Sequence, residues 1–269
     1  MALALFALAI SWATGWLALE LVWPRTRSLS GDLALRAAVS GAFGLFASSS
    51  LYLAGLVLGL ATRPWVMGID ILALVGLAVW VKLSQRGRPP PDTSQDESGS
   101  PAPAIGRMLG AAFSASLVVN GFATLQRFRD EPLGFWDAFA IWNLKARFFF
   151  FEGGEHWQRA FSDIISWSHT DYPLLLPLNV SRLWTYSDTP DQAVPALLAI
   201  TFSTLTLAIL YPAPAQTNGR SSAFLGSLAL LPSPPSLPQT PLPAPYLPTP
   251  PLPPPPPSSS PLSSSPPPD

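Results

Sequence analysis

Four apolar stretches long enough to cross a bilayer constrain this chain more than any other feature. Met1 to Trp23 carries a single charge, at Glu20, and Ala37 to Leu60 carries none. Trp65 to Val81 carries only Asp70, and Met108 to Leu125 has Asn120 as its one strongly polar side chain. A spanning helix needs about 20 predominantly apolar residues, so the expected fold class is all-α: a polytopic transmembrane helix bundle. Composition agrees, since 48% of residues are hydrophobic and 12% charged, where soluble domains carry about 25% charged residues. The lipid bilayer is the first expected partner.

Several chemistries are excluded at once. The chain has no cysteine and only two histidines, His156 and His169, so neither a disulfide nor a Cys/His zinc site can be built. Its net charge of -1 provides no field to attract nucleic acid, and no basic stripe is interleaved with aromatics. Gly-rich phosphate loops, G-x-S-x-G elbows and H-E-x-x-H motifs are absent from the sequence.

Residues 1–81 are read as three N-terminal transmembrane helices. No Lys or Arg precedes Pro24, so the first stretch is expected to be a span rather than a cleaved signal. Gly41, Gly44, Ser48, Ser49 and Ser50 prepare the second span for close helix contact. Thr62-Arg63-Pro64 is expected to turn the chain, and Trp65 and Trp80 to anchor the ends of the third span. Residues 82–107, rich in Pro, Ser, Asp and Gly, read as a flexible cytoplasmic linker. Residues 108–231 form a partial membrane region containing the fourth span and an external loop, 126–190. Residues 232–269 read as a disordered Pro/Ser-rich tail. That tail serves either as a spacer or proline-rich ligand, or as the product of a reading-frame shift that replaced an authentic continuation.

If the four spans alternate, Arg25, Arg27, Arg36, Lys82, Arg86, Arg88 and Arg107 all fall on one side, which the positive-inside rule makes cytoplasmic. Abundant Arg, Ala, Leu and Pro hint at a GC-rich bacterial genome. The expected location is the bacterial cytoplasmic (inner) membrane, with the large loop extracytoplasmic.

The loop holds the candidate chemistry. From Phe135 to Arg147 it reads Phe-Trp-Asp-Ala-Phe-Ala-Ile-Trp-Asn-Leu-Lys-Ala-Arg, a short interfacial helix with tryptophans dipping inward and cations reaching water. Asp137, between Trp136 and Trp142, is the candidate catalytic base, because a carboxylate at the mouth of a half-apolar cavity has its pKa raised. Asp137 also suits the N-cap of a helix starting at Ala138. Lys145 and Arg147 suit a phosphate, or else snorkel to headgroups; two positions apart, they do not share a helix face. Arg127, Arg129 and Arg182 are weaker candidates of the same kind. His169 and Asp171 are close enough to approach one ligand, or form a polar turn before Tyr172-Pro173. Two ligands do not define a metal site. Leu174 to Tyr186 is expected to be a short or re-entrant span, and Ala193 to Tyr211 a clearer one. Glu20 and Asp70 are assigned to the membrane interface.

Two segments, Phe135 to Arg147 and His169-Thr170-Asp171-Tyr172-Pro173-Leu174-Leu175-Leu176-Pro177, give the chain a resemblance over roughly Met108 to Tyr211. It resembles the GT-C class of integral-membrane glycosyltransferases, which includes protein O-mannosyltransferases and lipid A aminoarabinose transferases. That class carries an acidic residue in the first large external loop, then interfacial helices, then a basic or His segment running into a Pro/Leu-rich re-entry. The resemblance implies a polyprenyl-phosphate sugar as donor and partner, transferred with inversion to an extracytoplasmic acceptor. Asp137 would then take the acceptor proton or help hold a divalent cation, while Lys145, Arg147 and His169 neutralise the donor phosphate. Two features depart from the class: Ala138 stands where a second acidic residue usually follows, and the chain has fewer spans. It is accordingly expected to be a fragment, inactive alone. The competing expectation is a non-enzymatic polytopic membrane protein, such as a transporter fragment or envelope-assembly subunit.

Overall fold

The computed structural model describes residues 1–23, 30–85, 104–130, 134, 136–153 and 156–210. Most of the linker, the tail 232–269 and residues 131–133 and 135 of the central stretch lie outside the described residues, as does the side chain of Asn120. Among the described residues every regular element is helical. The α-helices are α1 (Ala2–Val22), α2 (Ser30–Val57), α3 (Arg63–Ser84), α4 (Ala104–Asp130), α5 (Leu144–Phe151), α6 (Leu175–Ser187) and α7 (Ala193–Leu210). Three of them, over Ala2–Val22, Leu35–Val57 and Arg63–Ser84, are long and apolar enough to cross a membrane. The protein is therefore read as an integral membrane protein. Helix α4 encloses the expected fourth span, and α7 contributes a shorter apolar helix, Ala193–Ile209.

Helices α1 and α2 approach closely because small residues face each other. A Cβ on Gly44 would stand 1.8 Å from the Ser11 carbonyl oxygen, and one on Gly15 1.9 Å from that of Ser40. Backbone contact of this kind is what drives helix association where lipid is as apolar as the side chains. Ser11 adds polar contacts, donating to the Ala7 carbonyl and to Ser48 Oγ, each at 3.0 Å. At the other end of the pair, Arg36 forms an ion pair with Glu20 and lies 4.4 Å over the Trp16 ring. Glu20 thus has a helix-to-helix partner, where the sequence suggested only an interfacial position.

The turns follow from residue type. Helix α2 closes with Leu60 N–H donating to Gly55 O at 2.7 Å and Gly59 N–H to Leu56 O at 3.2 Å, with Gly59 at φ 70°. That pattern is a Schellman closure, whose left-handed position glycine fills without strain. Thr62 is extended and precedes α3, whose first turn contains Arg63 and Pro64. Those two residues start the helix instead of forming a separate turn, because Pro lacks only an N–H that is unpaired in a first turn anyway.

Helix α6 lies at the centre of the bundle. Every residue from Pro177 to Tyr186 is buried, and the helix packs on α1, α2, α3, α5 and α7. Its 13 residues rise only about 20 Å, short of a hydrocarbon core of about 30 Å. The segment Leu174–Tyr186, expected as a short or re-entrant span, is thus a short helix buried among the apolar helices. Polar contacts fix its register. Asn179 Nδ2 donates to Leu45 O at 3.4 Å, and Tyr52 Oη lies 2.7 Å from Ser181 Oγ and 3.1 Å from Thr185 Oγ1. Tyr52 also donates to Phe149 O at 3.4 Å, which sets α5 beside the same half of α2.

Candidate functional site

The segment between α4 and α6 folds as a series of short, imperfect helices. Ala138–Asn143 is a π-helical turn that leads directly into α5, and Trp157–Phe161 and Asp163–Ser168 are 3-10 turns. π-turns recur at functional sites because the extra residue re-aims the side chains that follow. Here the next turn carries Lys145. Its side chain is fully buried, at 0% exposure, and its ammonium donates to the His169 carbonyl.

His169 ends the second 3-10 turn in the left-handed region, at φ 52° and ψ 68°. Its carbonyl also accepts from Tyr172 N–H at 3.0 Å, and its ring stacks on Tyr172 with centroids 4.6 Å apart. Tyr172 lies 5.6 Å from the Trp142 ring and 5.9 Å from the Lys145 ammonium, within range of a cation–π attraction. Burial pushes Lys145 below the usual lysine range, and the Asp171 carboxylate pulls partly back. A lysine ammonium has three donors, so bonding to one carbonyl does not exhaust it.

Beside this cluster a cavity of about 490 Å³ is lined by Trp142, Asn143, Pro173, Leu176, Ala199 and Phe202, among others. Trp142 and Asn143 precede Lys145 by three and two positions. Trp142 thus joins the largely apolar hollow to the ring of Tyr172.

The structure brings Lys145, His169 and Trp142 together, joined by Tyr172, and places Asp171 within electrostatic reach of Lys145. Trp136 instead pairs with Trp167 at 6.0 Å, and Arg147 lies 5.7 Å over the Phe139 ring. Lys145 and Arg147 face different ways, as their spacing required. Asp137 is exposed, and no contact among the described residues joins it to the Lys145 cluster. The capping role for Asp137 fails: its backbone is helical, at φ -62° and ψ -41°, and it makes no side-chain cap bond. An N-cap residue needs extended geometry to turn its oxygen onto the next N–H groups.

A second polar centre lies in the core. Asp70, 3% exposed, accepts at Oδ2 from Arg182 Nε at 2.9 Å, Arg182 Nη2 at 2.7 Å and Tyr186 Oη at 2.7 Å. Arg182 is fully buried and also donates to the Ala7 carbonyl at 3.3 Å. Asp70 therefore has a partner within the bundle, where the sequence suggested only an interfacial position, and Arg182 is occupied by it rather than free for a phosphate: each neutralises the other, tying α3 to α6 and α1. Both residues stood out in the sequence singly. Charge complementarity was the available signal, since a carboxylate inside a span requires a cation and Arg182 is the cation within the apolar segment Leu174 to Tyr186. Nothing in the sequence singled out Tyr172 as the link between His169, Trp142 and Lys145.

Among the described residues no cluster of three or more His, Asp or Glu side chains could hold a metal ion. No family model matches the chain, and neither a curated protein nor a solved structure matches it.

Proposed function

We propose that the chain belongs to a membrane glycosyltransferase that takes a polyprenyl-phosphate sugar and passes the sugar to an acceptor on the extracytoplasmic face of a bacterial inner membrane. One observation carries the proposal: a buried lysine, Lys145, sits against His169 and Tyr172, and Trp142, which packs on Tyr172, lines an apolar cavity of about 490 Å³. A buried ammonium is costly to desolvate; the Asp171 carboxylate offsets that cost only in part, and an anionic ligand would add further counter-charge. A phosphate that arrives on a hydrocarbon chain matches both halves of the arrangement, the cation and the hollow beside it.

In this scheme the acceptor hydroxyl attacks the anomeric carbon, the carbon–oxygen bond to phosphate breaks, and the phosphate departs with the electron pair. Lys145 stabilises that departing charge. Asp137, which is exposed, receives the acceptor's proton. Trp142 and Tyr172 flank the phosphosugar, with His169 holding Tyr172 in place.

Transfer of labelled sugar from a polyprenyl-phosphate donor, measured in membranes carrying the full-length gene product, tests the scheme. Asp137→Asn should abolish transfer with expression unchanged. Undiminished transfer by that variant would remove Asp137 from the mechanism, and inertness of the unaltered protein towards all prenyl-linked donors would favour a non-enzymatic membrane protein.

A further inference from the structure

A second cavity, of about 380 Å³, lies where α2 ends, α3 begins and α5 and α6 end. Its walls include Thr62 and Arg63 at the start of α3, Thr185 and Asp188 at the end of α6, and Phe150 and Phe151 at the end of α5. Among the described residues neither Arg63 nor Asp188 forms an ion pair.

The electrostatics of the two walls are opposite. Arg63 stands at the N-terminus of a 22-residue helix, whose dipole adds positive potential. Asp188 follows the last residue of α6 in left-handed conformation, φ 57°, where the helix dipole is negative. A simple anion would meet Asp188 and the carbonyl end of α6, and a simple cation would meet Arg63. A ligand carrying both charges satisfies each wall. The Phe150 and Phe151 rings, edge to face at 5.0 Å, add aromatic surface that favours an ammonium. Thr185 supplies a fixed hydroxyl at one wall, held by Tyr52 Oη at 3.1 Å and donating to Ser181 O at 3.0 Å.

Position selects the source of such a ligand. Two of the apolar helices, α2 and α3, terminate at this cavity, so it lies at headgroup level, and Val57, Leu58, Trp65 and Phe151 nearby are all more than half exposed. Those side chains offer apolar contact to hydrocarbon just beneath a headgroup. We propose that this cavity binds the zwitterionic headgroup of a membrane phospholipid. The phosphate lies on Arg63 and the start of α3, and the ammonium lies against Asp188 and the phenylalanine rings. This site is separate from the Lys145 cluster and does not rest on the glycosyltransferase reading.

Native mass spectrometry of the full chain, delipidated in detergent, tests this with three probes: dioleoyl phosphatidylethanolamine, dioleoyl phosphatidylglycerol and soluble glycerophosphoethanolamine. The ethanolamine lipid should bind about tenfold more tightly than the glycerol lipid, the effect of one well-placed charge contact. Arg63→Gln and Asp188→Asn should each weaken it by about tenfold, and Asp188→Asn should also erase the discrimination between the two lipids. Arg63→Lys and Asp188→Glu should preserve the ranking, and Lys145→Met should leave it unchanged. Both altered positions are exposed, and helical content by circular dichroism confirms that the variants fold. Equal binding of the two lipids, full binding by both charge-removing variants, or glycerophosphoethanolamine binding as tightly as the lipid would each overturn the proposal.

Discussion

Replacing Asp70 with leucine isolates the energetics of the core. Three donors converge on Asp70 Oδ2 at 2.7 to 2.9 Å, and Arg182 is wholly shielded from solvent. Asp70→Leu removes the counter-charge and strands the guanidinium, with the Tyr186 hydroxyl also losing its acceptor. Breaking a buried pair from one side costs about 3–5 kcal/mol. Arg182→Met strands the carboxylate and should cost a similar amount. The double variant Asp70→Leu/Arg182→Met leaves neither charge unpaired, and replacing both partners of a buried pair by apolar groups is often neutral or even stabilising, by about 1–4 kcal/mol. The two single costs should therefore fail to add, with a coupling of several kcal/mol. Reversible unfolding in mixed detergent micelles, followed by far-ultraviolet circular dichroism, measures all four corners of the cycle. Single variants that each lose under about 1 kcal/mol, or a double variant equal to the sum of the singles within about 0.5 kcal/mol, would refute the assignment of this pair as the clamp between α3 and α6.

Further expectations follow from other contacts. Gly44→Val places a side chain where the Ser11 carbonyl stands 1.8 Å from the Cβ position, so α1 and α2 must separate and the thermal midpoint should fall sharply. Gly76→Ala, with no atom within 4 Å, should leave it unchanged. Lys145 titrates below the ordinary value of 10.5 because it is buried. The folded state then releases its proton at lower pH than the unfolded state, so stability should rise with pH between the lowered value and 10.5, and Lys145→Met should flatten that slope. Trp136 and Trp167, with rings tilted at 36° to each other and both more than half exposed, should be quenched by brominated lipid if they lie at the bilayer interface. Phe substitution at both positions should remove that component.

Much of the helical framework is legible from local sequence. The apolar runs at Ala2–Val22, Leu35–Val57 and Arg63–Ser84 needed only length and a scarcity of charge, and Gly44 and Ser48 sit at the close α1–α2 contact as their size suggested. Arg63 and Pro64 open α3 where a separate turn is expected, because proline's penalty applies inside a helix and vanishes in its first turn. For Leu174 to Tyr186 the sequence shows an apolar segment too short for an ordinary span, and the packing by α1, α2, α3, α5 and α7 that buries it is not legible locally.

Pairings across long sequence distances are where local patterns stop. Asp70 meets Arg182 over a separation of 112 residues, and Lys145 meets His169 over 24. Residue type marked Lys145, His169 and Trp142 as functional candidates, and the fold assembles them. Asp137 was placed at a helix N-cap because the π-helical turn is invisible to residue preferences, and the helical backbone at Trp136 and Asp137 already precedes Ala138.

In the proposed function, Lys145 and the apolar hollow lined by Trp142 hold a phosphate carried on a hydrocarbon chain. Binding of a polyprenyl phosphate to the purified chain in detergent, compared between the unaltered protein and Lys145→Met, tests it most directly. Saturable binding that weakens by about tenfold or more in the variant, with the corresponding polyprenol bound equally weakly by both, is the expected result. Equal retention of polyprenyl phosphate by the two proteins, or no saturable binding by either, would contradict the claim.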